Sequence, residues 1–373
     1  MFKSYRLILT QIILLLMGNS IVAQKYLTWY EVEKQQFGRE IFFKDNTNNL
    51  LEGHYKISDE RGNYSDLNFK KGKKHGKSTE YDYNDRILKT MTYADGIANG
   101  TFTTYHQNGK VQRQGLFLKG EEEGEWKTFN DTGELITLEN YKNGLKNGKW
   151  TKKLHYSNQN VRGVRTEHYK NNEPTGHWEE KYEDGTLNWE RDYTTNNSYI
   201  QKDYFPNGKV RFLKQLKDGK LEGDKLEYNQ NGVLLRRMKF VKDQLLLSEL
   251  FYENEAKKEI QHYEHGKKNG LYELYHENGT KILSGNYMDG YKNGAWKNFD
   301  LDNGTIVEKT TFKNNVKNGL YIKYNEAEKP SHKGNYLNGT KDGKWEFYNL
   351  AGKPIKEILY RKGKVISKIE YGN

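Results

Sequence analysis

The chain has no cysteine and only 4 prolines in 373 residues. Without thiols there is no disulfide framework, no thiolate metal ligand and no cysteine to carry a lipid behind a leader. Hydrophobic residues are also scarce, at 34% against 30% charged, which excludes a thick, deeply buried core. Long apolar runs are missing except for one near the start. Lys3 and Arg6 precede a mainly apolar stretch from Leu7 to Met17, and Ser20-Ile21-Val22-Ala23 ends in a small residue before Gln24. That stretch is shorter than the roughly 20 residues a membrane helix needs. Its layout is that of a cleavable signal peptide over residues 1–23. The expectation is therefore an exported protein, periplasmic, cell-surface or secreted, with no transmembrane span after cleavage.

What the sequence does contain is aromatic: 14% of residues, including 29 Tyr and 7 Trp. Disordered chains are aromatic-poor, so this one is expected to fold. Tyrosine buries a flat ring while its hydroxyl stays wet, which suits a thin structure with two solvent-near faces. The 36 glycines point to many tight turns. Formal charge is +11, and removing residues 1–23 deletes two basic and no acidic groups, leaving +9. An excess that small over 350 residues reads as a solvated surface with lysines guarding strand edges.

A period of about 24 residues organises everything after residue 45. A phase-marking glycine recurs at Gly53, Gly76, Gly100, Gly124, Gly148, Gly176, Gly223, Gly270, Gly294, Gly319 and Gly343, with Tyr199 and Leu247 in the two empty slots. Two residues after it stand Trp126, Trp150, Trp178, Trp296 and Trp345, with Tyr or Phe at several other repeats. Five residues after it come Tyr105, Tyr228, Tyr275, Tyr324 and Tyr348, with Tyr182 six after. Offsets of two and five fall on opposite faces of a regular strand. Asn108-Gly109, Asp184-Gly185, Asn207-Gly208, Asn231-Gly232 and Asn278-Gly279 follow. Such dipeptides between alternating segments signal hairpins, read here as type I′ turns. The expected fold is all-β: an elongated ribbon of 12–13 antiparallel hairpin repeats. Its length is on the order of 120 Å at roughly 4.8 Å per strand. Residues 24–45 are expected to form an N-terminal cap, 46–360 the repeats, and 361–373 a C-terminal cap strand. The irregular stretches are 149–175, where Ser157-Asn158-Gln159-Asn160 replaces Asn-Gly, and the slots at Tyr199 and Leu247.

The pattern Tyr-x-x-Gly-x-x-x-Gly-x-Trp, at Tyr141 to Trp150, Tyr287 to Trp296 and Tyr336 to Trp345, resembles the MORN repeat, and in particular the bacterial MORN-variant family. The resemblance extends over nearly all of residues 46–371. It implies short hairpins stacked into an elongated sheet, and relatives are often labelled antitoxin components of toxin–antitoxin pairs.

Catalysis needs unlike groups converging in one place, whereas polar residues here repeat with the backbone. No enzyme, cofactor or metal is expected. The nearest histidine pair, His262 and His265, falls on opposite strand faces. Glu121-Glu122-Glu123 reads as a solvated turn rather than a glycosidase pair. The basic run from Lys70 to Lys77 is not continued along the repeats, so nucleic acid is not an expected partner. The tryptophans are read as internal stacking supports. The row Tyr105, Tyr182, Tyr228, Tyr275, Tyr324 and Tyr348 is the candidate binding surface, expected to be the more exposed. The function expected is a protein-binding scaffold. The alternatives are a neutralising partner of an exported toxin and an envelope glycan- or lipid-binding protein.

Overall fold

A computed structural model describes residues 24–156 and 161–372. The expected signal peptide and the Ser157–Asn160 segment lie outside the described residues. The chain is all-β, with a single 3-10 turn at Trp29–Glu31 as its only helix among the described residues. It divides into two units, one ending at Glu173 and the other beginning at Pro174.

In the first unit, Lys25–Thr28 runs parallel to Gly53–Ser58 and covers its outer edge. Val32–Phe37 and Glu40–Asp45 form an antiparallel hairpin. Between these elements and the first repeat lies a compact apolar cluster of Phe43, Leu51, Tyr55, Ile57, Leu67 and Phe69, with Leu27, Val32 and Ile41 against it. Covering a first hairpin in this way protects an otherwise sticky edge. Antiparallel hairpins follow, such as Ile97–Tyr105 with Val111–Leu118 and Glu121–Phe129 with Leu135–Lys142. The lengthened hairpin Gly148–Tyr156 with Val161–Lys170 pairs without any register shift. The second unit repeats the scheme, for example in Lys267–Tyr275 with Lys281–Met288 and Thr340–Tyr348 with Pro354–Arg361. Its last strand, Lys364–Glu370, is exposed at every residue.

The two ends of each hairpin use different turns, and the expected assignment of type I′ to Asn-Gly is corrected. At Asn108-Gly109 only the glycine has positive φ, +80°. His106 N–H donates to the Lys110 carbonyl and Gly109 N–H to the His106 carbonyl, a type I turn closed by a left-handed glycine. The asparagine is there for its side chain. Asn108 Oδ1 accepts the Lys110 N–H, while its amide donates to the Asp131 carbonyl of the next loop at 2.7 Å. Asn207 does the same with Lys209 and Gln230. The type I′ turns lie between hairpins, where both central residues have positive φ: Lys119-Gly120 (+52°, +88°), Asn143-Gly144 (+50°, +72°) and Asn338-Gly339 (+48°, +85°). These turns are stitched together across one period. Gly120 N–H donates to the Ala98 carbonyl, Gly144 to Glu122, Gly290 to Lys268 and Gly339 to Lys317, all within 2.9 Å.

The phase glycine sits in a bulge. Gly124, Glu125 and Trp126 stand opposite the single residue Gly115, because Gln114 pairs with Lys127 and Leu116 with Glu123. All eleven phase glycines have positive φ, from +62° at Gly176 to +132° at Gly100, a conformation that residues with a Cβ adopt at a cost. The bulge lays the tryptophan flat across the facing residue. A Cβ added to Gly115 would lie 2.2 Å from Trp126, and Gly285 with Trp296 and Gly334 with Trp345 repeat this distance. At Leu247 the glycine is absent and so is the wide bulge: Lys239 pairs with Leu247 and Phe240 with Leu245. The strand slips by one, so that Ser248 rather than Glu249 stands opposite Gln261.

Candidate binding surface

Two faces result. On the first, Trp126, Trp178, Trp296 and Trp345 are buried and Trp150 is half-buried. Three of them meet the ring that precedes them edge-to-face: Phe117 on Trp126 at 5.0 Å and 85°, Tyr287 on Trp296 at 5.1 Å and 85°, Tyr336 on Trp345 at 5.2 Å and 88°. The indole N–H groups of Trp150, Trp296 and Trp345 donate to the carbonyls of Asn140, Asn286 and Asn335. A lysine two residues before the phase glycine then covers the ring from outside. Lys146, Lys292 and Lys341 lie 4.3 Å from the centroids of Trp150, Trp296 and Trp345, within cation–π range. Where that position is Glu122, the cation comes from Arg113, 4.5 Å over Trp126 and paired to Glu122 at 3.0 Å and Glu139 at 3.3 Å. These rings therefore support the sheet and are closed to a stacking ligand.

The charged turns read from the sequence resolve in the same terms. In the basic run, Lys74 lies over Phe43 and Tyr93 while Lys73 pairs with Glu40. In the acidic triplet, Glu122 holds Arg113 and Glu123 accepts the Asn143 N–H of the next turn at 2.8 Å. His265 occupies a turn with φ +47°, and His262 hydrogen-bonds the Leu271 carbonyl. Among the described residues no group of three potential metal-ligating side chains comes together, and no helix is long and apolar enough to cross a membrane.

The second face carries five tyrosines of the expected row, whereas the sixth, Tyr182, stands two and four residues from Glu180 and Trp178 in the strand Gly176–Tyr182 and so falls on the first face. Tyr105, Tyr182, Tyr228, Tyr275, Tyr324 and Tyr348 are all half-buried, more open than the buried Trp126, Trp178, Trp296 and Trp345. Three are held through their hydroxyls: Tyr275 donates to Glu273 at 2.6 Å, Tyr348 to Glu346 at 3.1 Å and Tyr182 to Asn188 at 2.9 Å. Desolvation and the Glu273 carboxylate push the Tyr275 hydroxyl up to about 12. Burial alone raises the Glu273 carboxyl, but its bonds to Lys281 and Tyr275 outweigh this and hold it below the ordinary range. Tyr105, Tyr228 and Tyr324 make no hydroxyl hydrogen bond to any described residue.

Sequence reasoning missed the aliphatic neighbours of this row. Leu271 and Leu320 directly follow the phase glycine, Met288 and Leu337 directly follow the ring, and all four are exposed. Each is adjacent in sequence to a first-face residue, which turns it to the second face. The available signal was an apolar residue next to a glycine or aromatic where alternation calls for a polar one.

A family profile described as the MORN repeat variant matches residues 98–119, 122–143 and 341–362, each a strand, inter-strand loop and strand of the kind described above. The chain thus carries MORN-variant repeats. No curated protein matches it. Among solved structures, it is similar to a chain in the crystal structure of TcdB2-TccC3-TEV at 13% identity, over 87% of this chain and 18% of that one, with a TM-score of 0.13. The chain spans less than a fifth of that protein's length, and a TM-score so low says nothing of fold or function.

Proposed function

Since three of its hairpins match the MORN repeat variant, we propose that this chain is an exported, non-catalytic protein-binding scaffold working in the periplasm or at the cell surface. The observation that carries the reading is the second face of the C-terminal unit. There exposed Leu271, Met288, Leu320 and Leu337 recur on the same face as half-buried Tyr275, Tyr324 and Tyr348. Aliphatic and tyrosine side chains presented together, with polar groups around them, are the make-up of a protein-interface core. A non-catalytic role is supported by polar groups that recur with the backbone instead of converging. Export is supported by Lys3, Arg6 and the apolar stretch Leu7 to Met17.

The test is affinity purification of the tagged chain from cells separated into cytoplasmic and envelope fractions, beside a Leu320→Asp/Leu337→Asp variant. The expected result is a chain in the envelope fraction, beginning at Gln24, with one abundant partner that the variant loses. Recovery in the cytoplasm, or a partner retained equally by the variant, overturns the reading.

A further inference from the structure

Within the C-terminal unit the row of the first face that holds the tryptophans carries no ring for three successive repeats. Following the pairing from Trp178, the row that carries a ring on alternate strands at Tyr272, Trp296, Tyr321 and Trp345 reads Arg191, Gln201, Lys214, Lys225 and Met238. Lys214 faces the bulge from Gly223 to Lys225, since Leu213 pairs with Leu226 and Leu216 with Leu221. Lys214 thus stands where Gly115 stands in a regular repeat, and Lys225 takes the place of Trp126. A ring packed on a glycine has been replaced by a lysine beside a lysine.

These cations are poorly compensated. Arg191 spends its Nε on Gln201 Oε1 at 2.9 Å, with its guanidinium 4.9 Å over Trp189 and 5.1 Å over Tyr199. Gln201, only 6% exposed, passes a hydrogen bond to Asp203 at 2.8 Å. Asp203 and Glu227 lie one row over, yet neither forms an ion pair with Lys214 or Lys225, both half-buried. Lys225 rests 5.8 Å from the Phe212 centroid. Desolvation lowers the Lys214 ammonium, and Arg191 and Lys225 lower it further against the pull of Asp203. The regular repeat is the internal contrast, where Arg113 on the same face is clamped by two carboxylates. Half-buried like charges that no ion pair holds are costly, and an anion bound among them lowers that cost.

We propose that Arg191, Lys214 and Lys225 form a binding row for the carboxylates of an acidic peptide segment in a protein partner. The row crosses four neighbouring strands, roughly 14 Å at about 4.8 Å per strand, which suits charges spread along an extended chain. It offers no cluster of free backbone N–H groups of the kind that cradles a phosphate, because these residues sit in paired strands. Lysines are mobile point charges that adapt to separate carboxylates, and Trp189, Tyr199 and Phe212 provide apolar shoulders. The occupant rests on the protein-binding reading, but the row lies on the opposite face from the aliphatic and tyrosine surface, so each can fail alone.

The test titrates the full chain with an oligoglutamate of about six residues, roughly 20 Å when extended, with oligoglutamine of equal length, and with inorganic phosphate. Binding is measured by calorimetry and by NMR of the lysine ammonium groups. The expected result is saturable oligoglutamate binding that moves the Lys214 and Lys225 signals and leaves oligoglutamine and phosphate weak. Affinity should fall at least about tenfold in Lys214→Met/Lys225→Met, and less than about twofold in Lys239→Met, which removes a charge from the other face. The NMR arm needs no variant, so a misfolded double substitution does not spare the proposal. Unmoved Lys214 and Lys225 signals, equal losses in both variants, or phosphate binding as tight as oligoglutamate overturns it. A native partner captured equally well by the double variant would sink this row while leaving the scaffold reading intact.

Discussion

At the scale of the residue, the bulge glycines and the glycines beneath tryptophan answer to different physics. Gly124 and Gly343 need positive φ, whereas Gly334 has ordinary strand geometry and is small only because Trp345 lies on it. Gly334→Ala is therefore a steric test, expected to destabilise its surroundings by about 1–3 kcal/mol through overpacking. Local hydrogen-exchange free energies around residues 334–345 measure it, and Trp345→Leu in the same chain should recover part of the loss. The indole N–H groups make a second comparison. Trp345 donates to Asn335 at 3.0 Å, while the buried Trp126 N–H has no partner among the described residues. Replacing each with phenylalanine removes similar ring area, but only Trp345→Phe breaks a hydrogen bond and strands a carbonyl. It should cost roughly 1 kcal/mol more than Trp126→Phe, and equal costs by the same exchange measurement would contradict the assignment. His332 gives a pH signature. Stacked on Phe347 at 5.5 Å and beside Tyr321 and Trp345, it is desolvated, with Lys323 and Lys341 adding repulsion, and its pKa lies below the ordinary value. A lowered histidine favours folding fully above its unfolded pKa of about 6.5 and loses that contribution as pH falls through the folded value. Exchange protection near residues 321–347 should thus drop on acidification, and His332→Phe should remove that part of the drop.

At the scale of the element, the repeat is legible in the sequence because glycine and aromatic residues mark one strand geometry at a fixed period. Which loop is which turn was not legible from composition, since both ends of the hairpin carry Asn-Gly. Asn108-Gly109 and Asn143-Gly144 look alike as dipeptides, yet only the second has both residues left-handed. The distinction lies in hydrogen bonds to a neighbouring loop, made through Asn108 but invisible in a single repeat. The lysine two residues before the phase glycine was not singled out, because its ring lies four residues further along the same strand, beyond the glycine bulge, as with Lys292 and Trp296 in Tyr291–Phe299. A substitution pair separates the turns. Lys119 holds φ +52° in a type I′ turn, a conformation that asparagine tolerates better than lysine. Lys119→Asn should stabilise by a few tenths of a kcal/mol. Asn108→Gly, which supplies unneeded freedom and deletes two hydrogen bonds, should destabilise by about 1 kcal/mol. Thermal melts of the two variants on a common background give the signs, and stabilisation by Asn108→Gly would return the type I′ turn to the Asn-Gly loop.

At the scale of the whole molecule, composition and charge follow from how each repeat is closed. Lys146, Lys268, Lys292, Lys317 and Lys341 each lie over one or two rings at 4.3–5.6 Å. Those cations are thus held on aromatic faces, one repeat after another. Outside the apolar cluster under residues 24–45, burial within each unit comes from a ring, its facing residue and the next turn. Order therefore passes from one hairpin to its neighbour. A change in one place should be felt nearby and fade, where a central core would spread it everywhere. Hydrogen exchange on Gly334→Ala puts this to the test within the C-terminal unit. Protection should fall across the strands from Val316 to Arg361, which contact Trp345 directly or through one partner. It should stay unchanged from Gly176 to Val241, several hairpins away in the pairing order. A uniform fall across the unit would mean that its repeats open as one body, and that closure of each ring by its own neighbours is not what holds the strands.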